Sequence, residues 1–135
     1  QYSRALEDLD AVIAASPDNV AAFHNRGFVY EKLGRYHDAI ADFTLVISID
    51  PTLPSAWNNR GVAYKKQSRY AFAIADFNKA LSLAPNSLHM MLNRADACEK
   101  LGKTADAMAD YRGALGIDPG NATAREKLDR LLAMH

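Results

Sequence analysis

Asn25, Asn59 and Asn93 stand 34 residues apart in succession. A carboxamide carries donors and an acceptor on one planar group, so each can pair with both the N–H and the C=O of a peptide unit. An arginine follows each of them: Arg26, Arg60 and Arg94. Aspartates recur at the same interval, at Asp8, Asp42, Asp76 and Asp110. Matching periodicity of both signs predicts arginine–aspartate pairs between packed helices rather than an anion-binding stripe, since such pairs fix register. The histidines His24, His37, His89 and His135 show no metal-ligand spacing. Cys98 is the single cysteine. A nucleophile needs a base and an orienting group beside it, and the sequence offers neither, so Cys98 reads as a small buried residue. The chemistry available is recognition rather than bond-making, and the chain reads as non-catalytic, without cofactor or metal.

These residues need elements to position them, and the elements repeat. Pro17, Pro51, Pro85 and Pro119 keep the 34-residue interval, as do Gly27 and Gly61. Ala39-Ile40-Ala41-Asp42-Phe43 returns as Ala73-Ile74-Ala75-Asp76-Phe77 and as Ala107-Met108-Ala109-Asp110-Tyr111. A fixed period in this range indicates stacked units rather than one globular core. Each unit has two helical halves. Phe23, Arg26, Gly27 and Tyr30 fall on one face of the first, as do Trp57, Arg60, Gly61 and Tyr64. Tyr36, Ala39, Ile40, Phe43, Val46 and Ile47 form the apolar stripe of the second, repeated by Tyr70, Ala73, Ile74, Phe77, Ala80 and Leu81. Gly34, Ser68 and Gly102 mark the turn between halves. The prolines stop the second half. Asn19, Ser87 and Asn121 suit N-caps, and Pro54 a first helical position. Small residues at Gly27, Gly61 and Ala95, and at Ala5, Ala39, Ala73 and Ala107, let helices approach. Phe43, Phe77 and Tyr111 fill the space between.

The pattern resembles the tetratricopeptide repeat (TPR). Trp57, Gly61, Tyr64, Ala73, Phe77, Ala80 and Pro85 match that family's motif in one unit, and Phe23, Gly27, Tyr30, Ala39, Phe43 and Pro51 in the unit before. The following unit is looser, with Met91, Ala95 and Cys98 replacing aromatic, glycine and tyrosine. The family's leucine before glycine is arginine in all three. The expected fold is all-α: a right-handed superhelical solenoid of antiparallel helix pairs. Residues 20–53, 54–87 and 88–121 form three units. Residues 1–19 form the second helix of an incomplete unit, and 122–135 a capping helix with Leu128, Leu131 and Leu132 on one side. Leu6, Leu9, Val12 and Ile13 would leave one face of the first helix under-covered. A start at a unit's midpoint predicts a piece of a longer array, with cover by another chain as the alternative.

In such superhelices the first helices line a concave face. The resemblance places His24, Asn58 and Leu92 there, with Asn25, Asn59 and Asn93 beside them and then Phe28, Val62 and Asp96. Ala21, Ser55 and His89 lie at the leading edge; Glu31, Lys32, Lys65, Lys66, Glu99 and Lys100 lie further along. Neighbouring helices pack about 8–10 Å apart and an extended chain rises about 3.3 Å per residue. An asparagine would therefore meet roughly every third residue of a bound strand. This resembles the asparagine ladder in the TPR superhelix of the O-linked N-acetylglucosamine transferase. The alternative is a solvated asparagine face that binds nothing. A second TPR device, the clamp for a C-terminal carboxylate, is matched only by Asn59. His24 and Phe28, and His89 and Asn93, stand where its lysines, arginine and remaining asparagine belong, so the charged donors are missing.

The expected function is a protein–protein interaction scaffold, taking an extended peptide or a partner helix in the concave groove. The asparagines would grip backbone, and His24, Phe28, Asn58, Val62, His89, Leu92 and Asp96 would select sequence. The alternatives are self-assembly into homo-oligomers through the uncovered first helix, or service as a substrate-targeting arm of a larger enzyme. Equal numbers of acidic and basic residues give no general attraction to nucleic acid. No apolar run nears the ~18 residues that would insert in a membrane. A lone cysteine suits a reducing compartment such as the cytoplasm.

Overall fold

The computed structural model describes residues 1–134, and His135 lies outside the described residues. Within them the chain forms eight α-helices: α1 (Tyr2–Ala15), α2 (Val20–Lys32), α3 (Tyr36–Ile49), α4 (Pro54–Lys66), α5 (Tyr70–Leu83), α6 (Leu88–Lys100), α7 (Thr104–Ile117) and α8 (Ala122–Ala133). Each packs chiefly on the helix before and the helix after it. The first helices of successive units also touch, α2 with α4 and α4 with α6, whereas α3 and α5 stand further apart. A stack whose first helices crowd together curves toward them, and they line its inner face. The architecture is the expected all-α solenoid of antiparallel helix pairs.

The punctuation residues act as their types require. Oδ1 of Asn19 accepts from the Ala22 N–H at 3.0 Å, Oγ of Ser87 from Met90 at 3.3 Å, and Oδ1 of Asn121 from Ala124 at 2.9 Å. Each satisfies a donor that helix geometry leaves orphaned. α4 instead starts at Pro54, which has no N–H to satisfy. Gly34, Ser68 and Gly102 take left-handed φ of 76°, 60° and 84° and turn the chain between paired helices.

Ala39, Phe43 and Val46 of α3 are buried, as are Ala73, Phe77 and Ala80 of α5 and Ala107, Tyr111 and Ala114 of α7. The Phe77 and Phe43 rings lie over Gly61 and Gly27, where an added Cβ would meet ring carbons at 2.7 Å and 2.8 Å. Close approach, not flexibility, requires glycine at both. The third unit has Ala95 and Tyr111, and the Tyr111 hydroxyl donates to Glu99 Oε1 at 2.6 Å. Burial and that carboxylate hold the phenol well above its ordinary pKa.

The two ends differ. No residue of α1 is buried, and Val12 is 42 % exposed. On α8, Leu128 and Leu131 are buried, but Leu132 is exposed and does not join them as expected. Arg130 ties α8 to α6 through Glu99 Oε2 at 2.7 Å. Arg125, Glu126 and Asp129 are exposed, which gives α8 the polar outer surface a terminal element needs. Among the described residues no helix is long and apolar enough to cross a membrane.

Candidate functional site

The arginines are internal fasteners. Arg26 donates through Nε and Nη2 to both carboxylate oxygens of Asp42 at 2.9 and 2.8 Å. Arg60 holds Asp76 in the same way, both bonds at 2.8 Å, and Arg94 holds Asp110 at 2.8 and 2.6 Å. All three aspartates are buried. A two-pronged, charge-assisted pair supplies direction as well as energy. Each arginine's Nη1 then reaches the second helix of the preceding unit, at Asp10, Thr44 and Asn78. One side chain thus locks three helices. Asp10 takes this contact because it shares a column with Thr44 and Asn78. Asp8 occupies the column of Asp42, which needs an arginine from its own unit's first helix.

The asparagine column lies on the inner helices, and its members differ. Asn25 is exposed. Asn59 Nδ2 donates to His24 Nε2 at 3.1 Å, which places the imidazole proton on Nδ1. Burial pushes His24 below its ordinary pKa. Its ring meets that of Phe43 edge-on, centroids 5.6 Å apart. Asn93 Nδ2 donates to Asn58 Oδ1 at 3.2 Å and lies 3.3 Å from His89 Nε2. Asn58 is only 4 % exposed, so it supports Asn93 from beneath. Oδ1 of Asn59 and of Asn93 has no partner among the described residues.

A pocket of about 290 Å³ opens on this face. It brings together Phe28, Asn59, Val62, His89 and Asn93 of the expected set, with Phe43 at its base. Phe28 is 48 % exposed, an apolar group presented to solvent. Leu92 instead packs toward the C-terminal core. Asp96 binds Lys65 at 3.0 Å and Lys100 at 3.1 Å. Burial opposes ionisation of Asp96, but the two lysines outweigh it and hold the carboxyl below its usual range.

Lys65, Lys66, Lys32 and Glu31 complete the lining. The sequence placed these lysines only further along the groove. Their signal is a column of its own: Lys32, Lys66 and Lys100 keep the 34-residue interval. Lys32 pairs with Glu31 at 3.7 Å and lies over the Phe28 ring at 4.9 Å. Lys100 pairs with Asp96. Lys66 has no carboxylate partner among the described residues and leaves the pocket a positive charge to offer.

His37 and His89 are exposed, and His135 lies outside the described residues. Cys98 is buried at 2 %, and burial raises its thiol pKa. That is the reverse of what a nucleophile needs.

Stacked helix pairs with small residues at the contacts, glycine or serine turns and a lined inner face define a helical-repeat solenoid. The chain belongs to the tetratricopeptide-repeat family, whose models match residues 20–53, 54–87 and 88–121. No curated protein matches by sequence. Among solved structures, a crystal structure of MamA superposes with a TM-score of 0.93 at 22% identity, over 96% of this chain and 76% of that one. At that identity the likeness is one of fold. The first TPR of Spaghetti (RPAP3), bound to the HSP90 peptide SRMEEVD, is 29% identical with a TM-score of 0.81, over 85% of this chain and 91% of that one. The second TPR domain of human RPAP3, in complex with the HSP70 peptide SGPTIEEVD, is 30% identical with a TM-score of 0.77, over 81% and 91%.

Proposed function

We propose that this domain is a non-catalytic protein-interaction scaffold that takes an extended peptide across α2, α4 and α6. The observation that carries the reading is the inner pocket, where Asn59 and Asn93 stand beside the exposed Phe28 ring and Lys66. Asn59 and Asn93, each tethered through Nδ2, offer Oδ1 to a peptide N–H. Asn25 supplies an untethered amide at the first unit. Phe28 and Val62 take an apolar side chain, and Lys66 favours a carboxylate nearby. His24 and Asn58 orient the amides, while Leu92 and Asp96 hold α6 in place. The peptide complexes of the two RPAP3 domains support a peptide ligand. His24, Phe28, His89 and Asn93 at the clamp positions argue against gripping a terminal carboxylate in that manner.

The test is capture from cell lysate with this chain and with a variant carrying alanine at positions 25, 59 and 93. Circular dichroism checks that both are equally folded. A partner held by the parent chain and lost by the variant, then reproduced with a synthetic peptide from that partner, supports the groove. Equal capture by both would reduce the asparagines to a solvated surface.

A second reading rests on α1, none of whose residues is buried and whose Tyr2 and Val12 are exposed. Self-association through α1 predicts a mass in solution that rises with concentration. A constant monomer mass would end that reading.

A further inference from the structure

Tyrosine occupies one slot in each of the first two complete units. The Tyr30 ring has the Arg26 and Arg35 guanidinium groups 5.7 and 4.7 Å from its centroid. The Tyr64 ring has the Arg60 and Arg69 guanidinium groups 5.8 and 5.0 Å from its centroid, and Phe72 stacks on it at 5.4 Å. The third unit keeps the cations, as Arg94 and Lys103, but puts Cys98 in the tyrosine column and Asp106 in the column of Phe72. What remains is a pocket of about 350 Å³ between α5, α6 and α7, lined by Ile74, Arg94, Cys98, Lys103, Asp106 and Ala109 among others. It falls within the range of about 300–1,000 Å³ usual for small-ligand pockets. Among the described residues no aromatic ring lies over Arg94 or Lys103. The Arg94 side chain is accordingly 28% exposed, against 16% for Arg60.

We propose that this vacant slot is a docking site for a tyrosine side chain carried by a partner polypeptide. The chain itself shows that a phenol fits the arrangement, since Arg60 holds Asp76 just as Arg94 holds Asp110 and still presents its face to Tyr64. Two cations close to the ring attract its electron-rich faces. Ile74 and Ala109 supply apolar walls. Asp106, in place of a phenylalanine, gives the incoming hydroxyl an acceptor at the rim. The site lies on another side of α6 from the asparagine groove, uses none of its residues, and stands or falls independently of that reading.

The probe is N-acetyl-tyrosinamide, titrated into nitrogen-15-labelled protein and followed by amide shifts. The expected result is saturable shifts at Ile74, Lys103 and Ala109, with none at Asn25 or Asn59, and no saturable shift with N-acetyl-leucinamide. Cys98→Tyr fills the slot from within and Ala109→Phe blocks it from the exposed rim; each abolishes the shifts. Lys103→Ala, a surface change, weakens binding roughly two- to fivefold by removing one exposed cation–π contact. Should Cys98→Tyr fail to fold, Ala109→Phe and Lys103→Ala decide. Absence of saturable shifts in the parent protein overturns the proposal. So do shifts that survive in a folded blocked variant, or equal binding of the leucine analogue.

Discussion

Gly61 lies so close beneath Phe77 that a Cβ there would stand 2.7 Å from the ring's Cε1. Phe77 is 0% exposed, so the ring has no space into which to retreat. Two effects oppose each other in Gly61→Ala. Helix propensity favours alanine by about 1 kcal/mol, and overpacking a tight core costs about 1–3 kcal/mol. The contact is with a buried ring rather than the free end of a flexible chain, so overpacking wins. Urea denaturation is expected to show a net loss of up to about 2 kcal/mol. A stabilised variant would mean that the helix pair can open at no cost.

Arg26 allows two ion pairs to be compared on one side chain. Asp42 is 7% exposed at its side chain and accepts two bonds; Asp10 is 56% exposed and accepts one. Asp42→Ala leaves a part-buried guanidinium without its main partner and is expected to cost about 3–5 kcal/mol. Asp10→Ala removes a contact that water largely screens and is expected to cost under about 1 kcal/mol. Equal losses in the two denaturation curves would contradict a ladder whose weight rests on the buried carboxylates.

His24 makes stability depend on pH. Its folded pKa is depressed by burial, and its neighbours are the Phe43 ring and the Asn59 amide, neither of which favours a cation. The unfolded chain therefore takes up a proton near pH 6.5, as an ordinary histidine does, before the folded chain does. Stability is complete above that pH and falls as acidification proceeds toward the folded value. His24→Gln keeps an acceptor for Asn59 and should flatten the slope of unfolding free energy between about pH 7.5 and 5.5.

The repeat made most of the fold legible, because a column of three residues averages out single-site noise. The Arg–Asp pairing, the Gly–Phe contacts and the caps at Asn19, Ser87 and Asn121 all follow from column chemistry. What columns hide is contact between neighbours in different columns. The burial of Asn58 beneath Asn93 depends on where α4 meets α6, and no periodicity reports that. The contact of Arg26 with Asp10 is hidden for a related reason: Arg26 reaches back one unit as well as across its own, and the partner column, Asp10, Thr44 and Asn78, varies in type. Leu132 departs from Leu128 and Leu131 because no helix among the described residues packs over it, and it is left exposed. The lysine column was visible but carried no weight until the pocket placed Lys66 beside Asn59.

Ser68 is where one column departs from what the backbone wants. It takes φ 60° where the equivalent turns use Gly34 and Gly102. All three turns close alike: Arg35, Arg69 and Lys103 each donate backbone N–H to the carbonyl five residues earlier, at 2.8–2.9 Å. The backbone geometry is therefore shared, and only the side chain differs. A Cβ in the left-handed region costs roughly 1–2 kcal/mol. Glycine loses about 0.5–1 kcal/mol more chain entropy on folding. Ser68 Oγ also accepts a long 3.3 Å bond from the exposed Tyr70 hydroxyl, which adds little. Ser68→Gly should consequently raise stability by about 0.5–1 kcal/mol, and Gly34→Ser should lower it by a similar amount. A higher urea midpoint with unchanged slope for the first, and a lower one for the second, would establish that serine at this turn is strained. If Ser68→Gly is neutral or destabilising, the hydroxyl contact outweighs the strain of the turn.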